Sequence, residues 1–355
     1  MSLLNGIPSD FDNVNVRKQI NRMFAEARNN AKPSKCILCG RKQTSFCGSH
    51  SVPRMGLKSI AEDGKVLLFS SLLGFGKGVI DIEDGVGRAG TFYCICNECD
   101  NSFFQDYENK EKLLDKPTDK VLAEIAVKDS LLQLSKRAIE KELMIIQQKA
   151  FKAFDDFEYG MNIKEMDYSE FEEEVLFHKN IVDNNLRDNY KILFWDILPY
   201  MVPYAVQSGM ALTKDMEGTE INDIYNMNPC VRMQYMHLLI IPFEGKTVVL
   251  LFYHKRDRNY RRLFHQFNCI SKEEALKYIN YLVFKYTENI YISKKLENEI
   301  LENESLKKLS QESDVFPDLG MLGIENDFGQ NYEPVNIDDI PNLLMPNWAL
   351  EKICN

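Results

Sequence analysis

Two C-x-x-C pairs, Cys36-Ile37-Leu38-Cys39 and Cys96-Asn97-Glu98-Cys99, carry the clearest chemistry in the chain. Each such turn aims two thiolates at one point, and two turns supply the four sulfurs that zinc takes in a closed tetrahedral site. The spacing predicts a structural Zn²⁺ on Cys36, Cys39, Cys96 and Cys99. Cys94 offers an alternative ligand in Cys94-Ile95-Cys96, but the two-residue gap between Cys96 and Cys99 makes the better knuckle. Cys94 and Cys47 are expected to be small buried residues. Between the pairs, Gly48-Ser49-His50-Ser51-Val52-Pro53-Arg54 holds a histidine outside any apolar periodicity. An imidazole of ordinary pKa, about 6.5, can take a proton from water near neutral pH. His178, His237, His254 and His265 have no ligand spacing and are expected to be structural or surface residues.

The elements that must position these groups follow from periodicity. Val14, Ile20, Met23, Phe24 and Ala27 predict a helix over 13–30, with Arg17, Lys18, Arg22 and Arg28 between them. The zinc module occupies 34–109. Val66 to Phe69 reads as a strand and the run Gly74 to Gly78 as the turn of a hairpin. That run is not a phosphate loop, because no Lys-Ser/Thr pair opens a helix after it. A helix is expected from about Asp100. Pro117-Thr118 open a long amphipathic helix in which Ile125, Leu132, Ile139 and Ile146 recur every seventh residue, packed within the chain or as the seam of a homodimer. Gly160 to Asp167 is expected to break it before a second helix over 169–185. Glu170, Glu172, Glu173 and Glu174 would be a solvated first turn, since consecutive helical residues cannot converge on one metal.

From Tyr190 the pattern changes to strands: Ile192–Trp195, Met233–Ile241 and Thr247–Tyr253, the last two joined by a hairpin turn at Pro242–Lys246. Ser271-Lys272-Glu273-Glu274 is a capping box that opens a helix through about Lys285. The cationic run Lys255 to Arg262 suits either a phosphate backbone or a solvated turn. No nucleophile–base constellation lies in 190–290. The fold class is α+β: an N-terminal zinc module (1–115), a long helical connector (116–188) and a C-terminal α+β domain with an antiparallel sheet and an acidic tail (189–355). In that tail Leu343, Leu344, Met345 and Trp348 are expected to dock on a core.

Net charge is −10, but it is unevenly spread. Residues 1–60 carry ten Lys/Arg against three Asp/Glu, and residues 311–355 carry nine Asp/Glu against one Lys. A cationic working end and an anionic tail fit a nucleic-acid partner; the alternative is that the basic residues only solvate a helix face. No 18-residue apolar run and no secretory leader are visible, so a cytoplasmic protein with reduced thiols and no membrane partner is expected.

C-x-x-C, then Ser-His-x-Val-Pro-Arg, then C-x-x-C-Asp-Asn resembles the HNH, or ββα-metal, endonuclease superfamily, in the variant braced by a four-cysteine zinc of treble-clef type. The resemblance covers about a fifth of the chain. It implies a hydrolase that cuts DNA phosphodiester bonds, of the kind used in bacterial restriction or phage defence. It implies His50 as general base, Asp100 as ligand of a catalytic Mg²⁺ or Mn²⁺, Asn101 beside it, and Arg41, Lys42, Arg54 and Lys58 as cations near phosphate. The sequence departs from the pattern in having Ser49 where the family has an acid, and Asp100 where it has His or Asn. The same residues are open to a second reading, a zinc-containing module that grips nucleic acid or protein without cutting.

Overall fold

The structure is a computed structural model that describes residues 14–69, 80–152, 156–224, 226, 228, 230–287, 289–296, 298–311 and 335–350. Helix α1 (Val14–Asn30) leads to β1 (Ser49–His50), α2 (Arg54–Ile60), the antiparallel pair β2 (Lys65–Phe69) and β3 (Ile80–Gly85), β4 (Thr91–Phe92), α3 (Asn97–Phe103) and α4 (Lys110–Leu114). Two long helices follow, α5 (Asp119–Phe151) and α6 (Phe157–Asp183). Then come β5 (Tyr190–Leu198), β6 (Tyr204–Met210), β7 (Met236–Phe243), β8 (Lys246–His254), α7 (Arg261–Phe267), α8 (Lys272–Tyr286), β9 (Ile290–Ile292), α9 (Asn298–Leu301) and α10 (Glu304–Gln311). The expected glycine turn at Gly74–Gly78 lies outside the described residues. So does most of the acidic tail.

The molecule is organised on one antiparallel sheet of seven strands in the order β3-β2-β9-β6-β7-β8-β5. β7 and β8 read as continuous apolar runs because both faces of the sheet are covered. Alternate residues serve opposite cores. Leu238, Ile240, Val249 and Leu251 face α7, α8 and the 335–350 segment, whereas Leu239, Ile241, Leu250 and Phe252 face the zinc module and α5. Leu343 and Leu344 are buried in the first of these cores, with Met345 and Trp348 packed against it, so the tail does dock. The β7–β8 turn uses Glu244 and Gly245, both at positive φ, as a two-residue hairpin requires. The capping box at Ser271 and Glu274 is formed.

Sequence division at 115 separates residues that share this sheet. β2 pairs with β9, Leu67 opposite Ile292 and Leu68 opposite Tyr291. Helix α2 lies on the same sheet, where a Cβ on Gly56 would meet Ile241 at 3.0 Å. Helices α5 and α6 run antiparallel, tied by Lys164–Glu140 (2.8 Å) and Lys141–Glu165. Ile125 and Leu132 are buried inside the chain, so intramolecular packing accounts for the start of the heptad pattern. Helix α1 packs on α5.

The expected break at Gly160–Asp167 is absent; α6 is helical from Phe157. Gly160 is there for packing, since a Cβ would sit 2.5 Å from Met144 Cε of α5. The turn lies earlier, at Lys152, whose left-handed conformation caps α5. Glu170 and Glu174 are likewise not in a solvated first turn. Glu170 accepts from Met233 N (3.0 Å) and Tyr235 OH (3.0 Å), and Glu174 is buried against Arg232, Arg256 and His178. No described helix is long and apolar enough to cross a membrane.

Candidate metal centre and its basic face

The four sulfurs chosen by spacing meet. Sγ of Cys36, Cys39, Cys96 and Cys99 lie within 4.8 Å of one another. The first knuckle turns at Gly40, at φ +68°, where Gly40 N donates to Cys36 O (2.8 Å) and Cys36 N to Arg41 O (2.9 Å). The second is the start of α3: Cys96 caps it, Cys99 sits in its first turn, and Cys96 N donates to Cys36 Sγ (3.3 Å). Four soft thiolates with no open position fit a structural zinc ion, which would hold them without reacting. Arg41 Nε donates to Cys39 Sγ (3.3 Å), and this guanidinium draws the Cys39 thiol down to about 6. Burial pushes Cys36 and Cys99 up, so a metal ion is what would keep that set ionised. Cys94 is buried beside the site, its carbonyl accepting from Ile37 N (3.1 Å), and burial raises its thiol; burial drives Cys47 to about 12.

β1 and β4 pair antiparallel, with Ser49 opposite Phe92 and His50 opposite Thr91, and α3 follows β4. Neighbours on a strand project to opposite sides. Ser49 is fully buried and points at Asp100: its hydroxyl donates to Asp100 Oδ1 at 2.6 Å. His50 is half-buried, and its Nε2 donates to the Val86 carbonyl at 3.0 Å. Because a carbonyl only accepts, Nε2 carries the proton and Nδ1 is left as an acceptor. Burial, with help from the charges of Arg54 and Lys128, holds the His50 pKa below its ordinary value, against the pull of the Val86 carbonyl and Asp100.

Sequence reasoning missed the partner that decides the chemistry at Asp100. Lys128 reaches in from α5, fully buried. Its Nζ donates to Asp100 Oδ1 (3.0 Å) and Ser49 Oγ (2.9 Å), lies 3.3 Å from Glu108 Oε1, and sits 3.7 Å from the centre of the Phe104 ring. Burial alone would raise the Asp100 carboxyl. The ammonium and the Ser49 hydroxyl outweigh it and hold the carboxyl below the usual range. Glu108 is pushed up, mainly by burial, with Asp100 repelling it and Lys128 opposing the shift. The signal available in the sequence was the charged pair Lys128-Asp129 inside the apolar run from Val121 to Leu134.

The oxygens around Asp100 therefore do not suit the divalent ion that the resemblance implies. An ion about 2.1 Å from Asp100 Oδ1 would lie no more than about 5 Å from the ammonium, which is 3.0 Å from the same oxygen. Repulsion between charges of +2 and +1 at that distance is on the order of 7 kcal/mol at the dielectric typical of protein sites. Asn101, one residue on, is exposed on α3.

Of the four cations expected near phosphate, Arg41 is committed to Cys39 and to Glu98 (2.6 Å). Lys42, Arg54 and Lys58 are exposed and have no acidic partner among the described residues. Arg54 and Lys58 lie one turn apart on α2, on the side away from its buried Gly56 and Ile60. The other cationic run is mostly neutralised: Lys255 pairs with Asp188, Arg256 with Glu174, and Arg262 with Asp215 (2.9 Å) and Glu217. The chain matches no family model, no curated protein and no solved structure.

A second polar cluster joins α5 and α6 to the sheet. Asp129 accepts from His237 Nδ1 (2.8 Å) and Gln207 Nε2 (2.9 Å). His178 lies between Tyr190 OH (2.6 Å to Nδ1) and Glu174 (3.2 Å to Nε2), with its ring 5.6 Å from His237 and 5.9 Å from His254. Arg256 stacks on Phe177 and pairs with Glu174. Among the described residues, His237 Nε2, His254 Nε2, Gln207 Oε1 and Arg256 Nε are buried without a hydrogen-bond partner.

Proposed function

We propose that the chain is a zinc-braced nucleic-acid-binding protein that holds phosphates on the face formed by α2 and β1 and leaves them uncut. The observation that carries this is the exposed pair Arg54 and Lys58, one turn apart beside His50 and without acidic partners among the described residues, in a chain of net charge −10. By contrast, the cations of the 255–262 run are mostly paired with acids, whereas this pair on one helix face is available to an anion. Phosphate contacts of this kind are sequence-independent and salt-sensitive. The succession β1, β4, α3 around four cysteines supports an HNH-like ββα unit as its scaffold. Binding without cutting is favoured because Asp100 already has its cation.

The second reading, an HNH endonuclease acting in restriction or phage defence, is favoured by one observation: Val86 fixes the His50 ring through Nε2, which leaves Nδ1 as the nitrogen that accepts a proton. That reading needs Mg²⁺ or Mn²⁺ at Asp100, where Lys128 stands.

Incubation of the zinc-loaded protein with plasmid and with single- and double-stranded oligonucleotides, with and without Mg²⁺ or Mn²⁺, separates the two. Salt-dependent retention without nicking, weakened by Arg54→Ala and unchanged by His50→Ala, is expected. Metal-dependent nicking abolished by His50→Ala establishes the endonuclease instead, and no retention of any nucleic acid leaves a protein as the partner.

A further inference from the structure

We infer that Lys128 is the resident cation of the recess formed by Asp100, Glu108 and Ser49, so that this recess binds no divalent ion unless the lysine is removed. The inference deepens the non-cutting half of the proposed function, and its test uses no nucleic acid, so either can fail alone.

The recess has the makings of a cation site. Asp100 from α3, Ser49 from β1 and Glu108 from the segment before α4 converge on one point at 3.0, 2.9 and 3.3 Å. An ammonium has three donors and no acceptor, and here each donor has an oxygen to meet. The Phe104 face closes the remaining side at 3.7 Å. Lys128 is fully buried, a rare state for lysine that is tolerated only where charge and hydrogen bonds are both matched. Its supplier is a helix outside the zinc knuckles, and a tethered cation competes with free ions at high effective concentration. Among the described residues, Lys128 alone of the cations pairs with Asp100. A hard divalent ion would want the same oxygens and would have to displace a side chain anchored in the middle of α5.

Full-length, zinc-loaded protein is titrated with MnCl₂ and followed by electron paramagnetic resonance and by thermal melting. Mn²⁺ prefers oxygen ligands and leaves the four-sulfur site to zinc. Wild-type protein is expected to show the same Mn²⁺ response as Asp100→Asn, with no bound ion that depends on Asp100. Lys128→Ala uncovers the two carboxylates and is expected to gain one Mn²⁺ with affinity more than about a hundredfold above wild type. Its melting temperature should rise with Mn²⁺, and both effects should vanish in Lys128→Ala combined with Asp100→Asn. A wild-type Mn²⁺ site that Asp100→Asn abolishes overturns the inference. So does a folded Lys128→Ala that gains no ion. If Lys128→Ala does not fold, the comparison of wild type with Asp100→Asn decides alone: equal responses support the inference and unequal ones overturn it.

Discussion

Lys128 and Asp129 are neighbours on α5, and each enters a different buried cluster. Lys128 is a cation among oxygens of the zinc module, with every donor directed at an acceptor. Asp129 is an acid among groups of the sheet, in a cluster that leaves four polar atoms unpartnered among the described residues. The first cluster is held by fixed charge and complete pairing. The second depends on His178 and His254 staying neutral. Burial pushes His178 down to about 4 and His254 down to about 3, the neighbouring rings and Arg256 adding to burial while Glu174 resists. One helix thus carries a lock on one side and a pH-sensitive joint on the other.

Removing zinc is the strongest way to break the comparison. Chelation, or Cys36→Ser, should unfold the knuckles and loosen the Lys128 cluster, because Ser49 and Asp100 are placed by the strand and helix that the metal joins. The histidine cluster should persist. Zinc content near one ion per chain and hydrogen exchange on β1 and α3, against β7 and β8, measure this.

Acid is the next largest perturbation and acts on the other side. His178 and His254 have folded pKa values below the ordinary 6.5, so the unfolded chain binds more protons. Their contribution is fully present above about pH 6.5 and is lost as pH falls toward 4 and then 3. Linkage puts this on the order of 3 kcal/mol for either ring at pH 4. Glu174, held at about 2 by His178, Arg256 and Arg232 against its burial, adds a loss at lower pH still. Urea melts at pH 7, 5.5 and 4 should show the decline, and His254→Phe should flatten it. Asp100 is held below the usual carboxylate range, so the lysine side should outlast the histidine side.

Lys128→Met sharpens the contrast directly. It leaves Asp100 and Glu108 without their cation and should cost about 3–5 kcal/mol. Adding Asp100→Asn should recover part of that loss in a urea melt at pH 7. The smallest effect is expected at the surface. Arg54→Ala or Lys58→Ala should change stability by no more than about 0.5 kcal/mol. Either should reduce the salt slope of nucleic-acid binding by about one.

Local chemistry was legible in the sequence, and long-range placement was not. Each C-x-x-C knuckle, the Glu244-Gly245 turn and the Ser271 capping box follow from spacing within a few residues, and the docking of Leu343 and Leu344 is read from their apolar character in an acidic tail. Gly160 misled because a glycine alone looks like a helix breaker, and only Met144 of the neighbouring helix explains it. β6 and β9 went unread: β6 contains Gln207, Ser208 and Gly209, and β9 has three residues, so neither shows a strand period. Lys128 is a charge in an apolar run that sequence reasoning passed over, and which oxygens it meets depends on how α5 lies against α3. The cations of 255–262 suit a phosphate backbone and a solvated turn equally by sequence, and only their acids, distant in the chain, decide against the first.

The pairing of Leu68 with Tyr291 also sets a schedule for the nascent chain. The β2–β3 hairpin leaves the ribosome early, and the strand that completes its edge is made on the order of tens of seconds later. Until β9 arrives, an apolar strand edge stands open to any passing polypeptide. Fragments that stop before residue 290 should inherit that liability permanently and precipitate during expression, whereas the intact chain outgrows it.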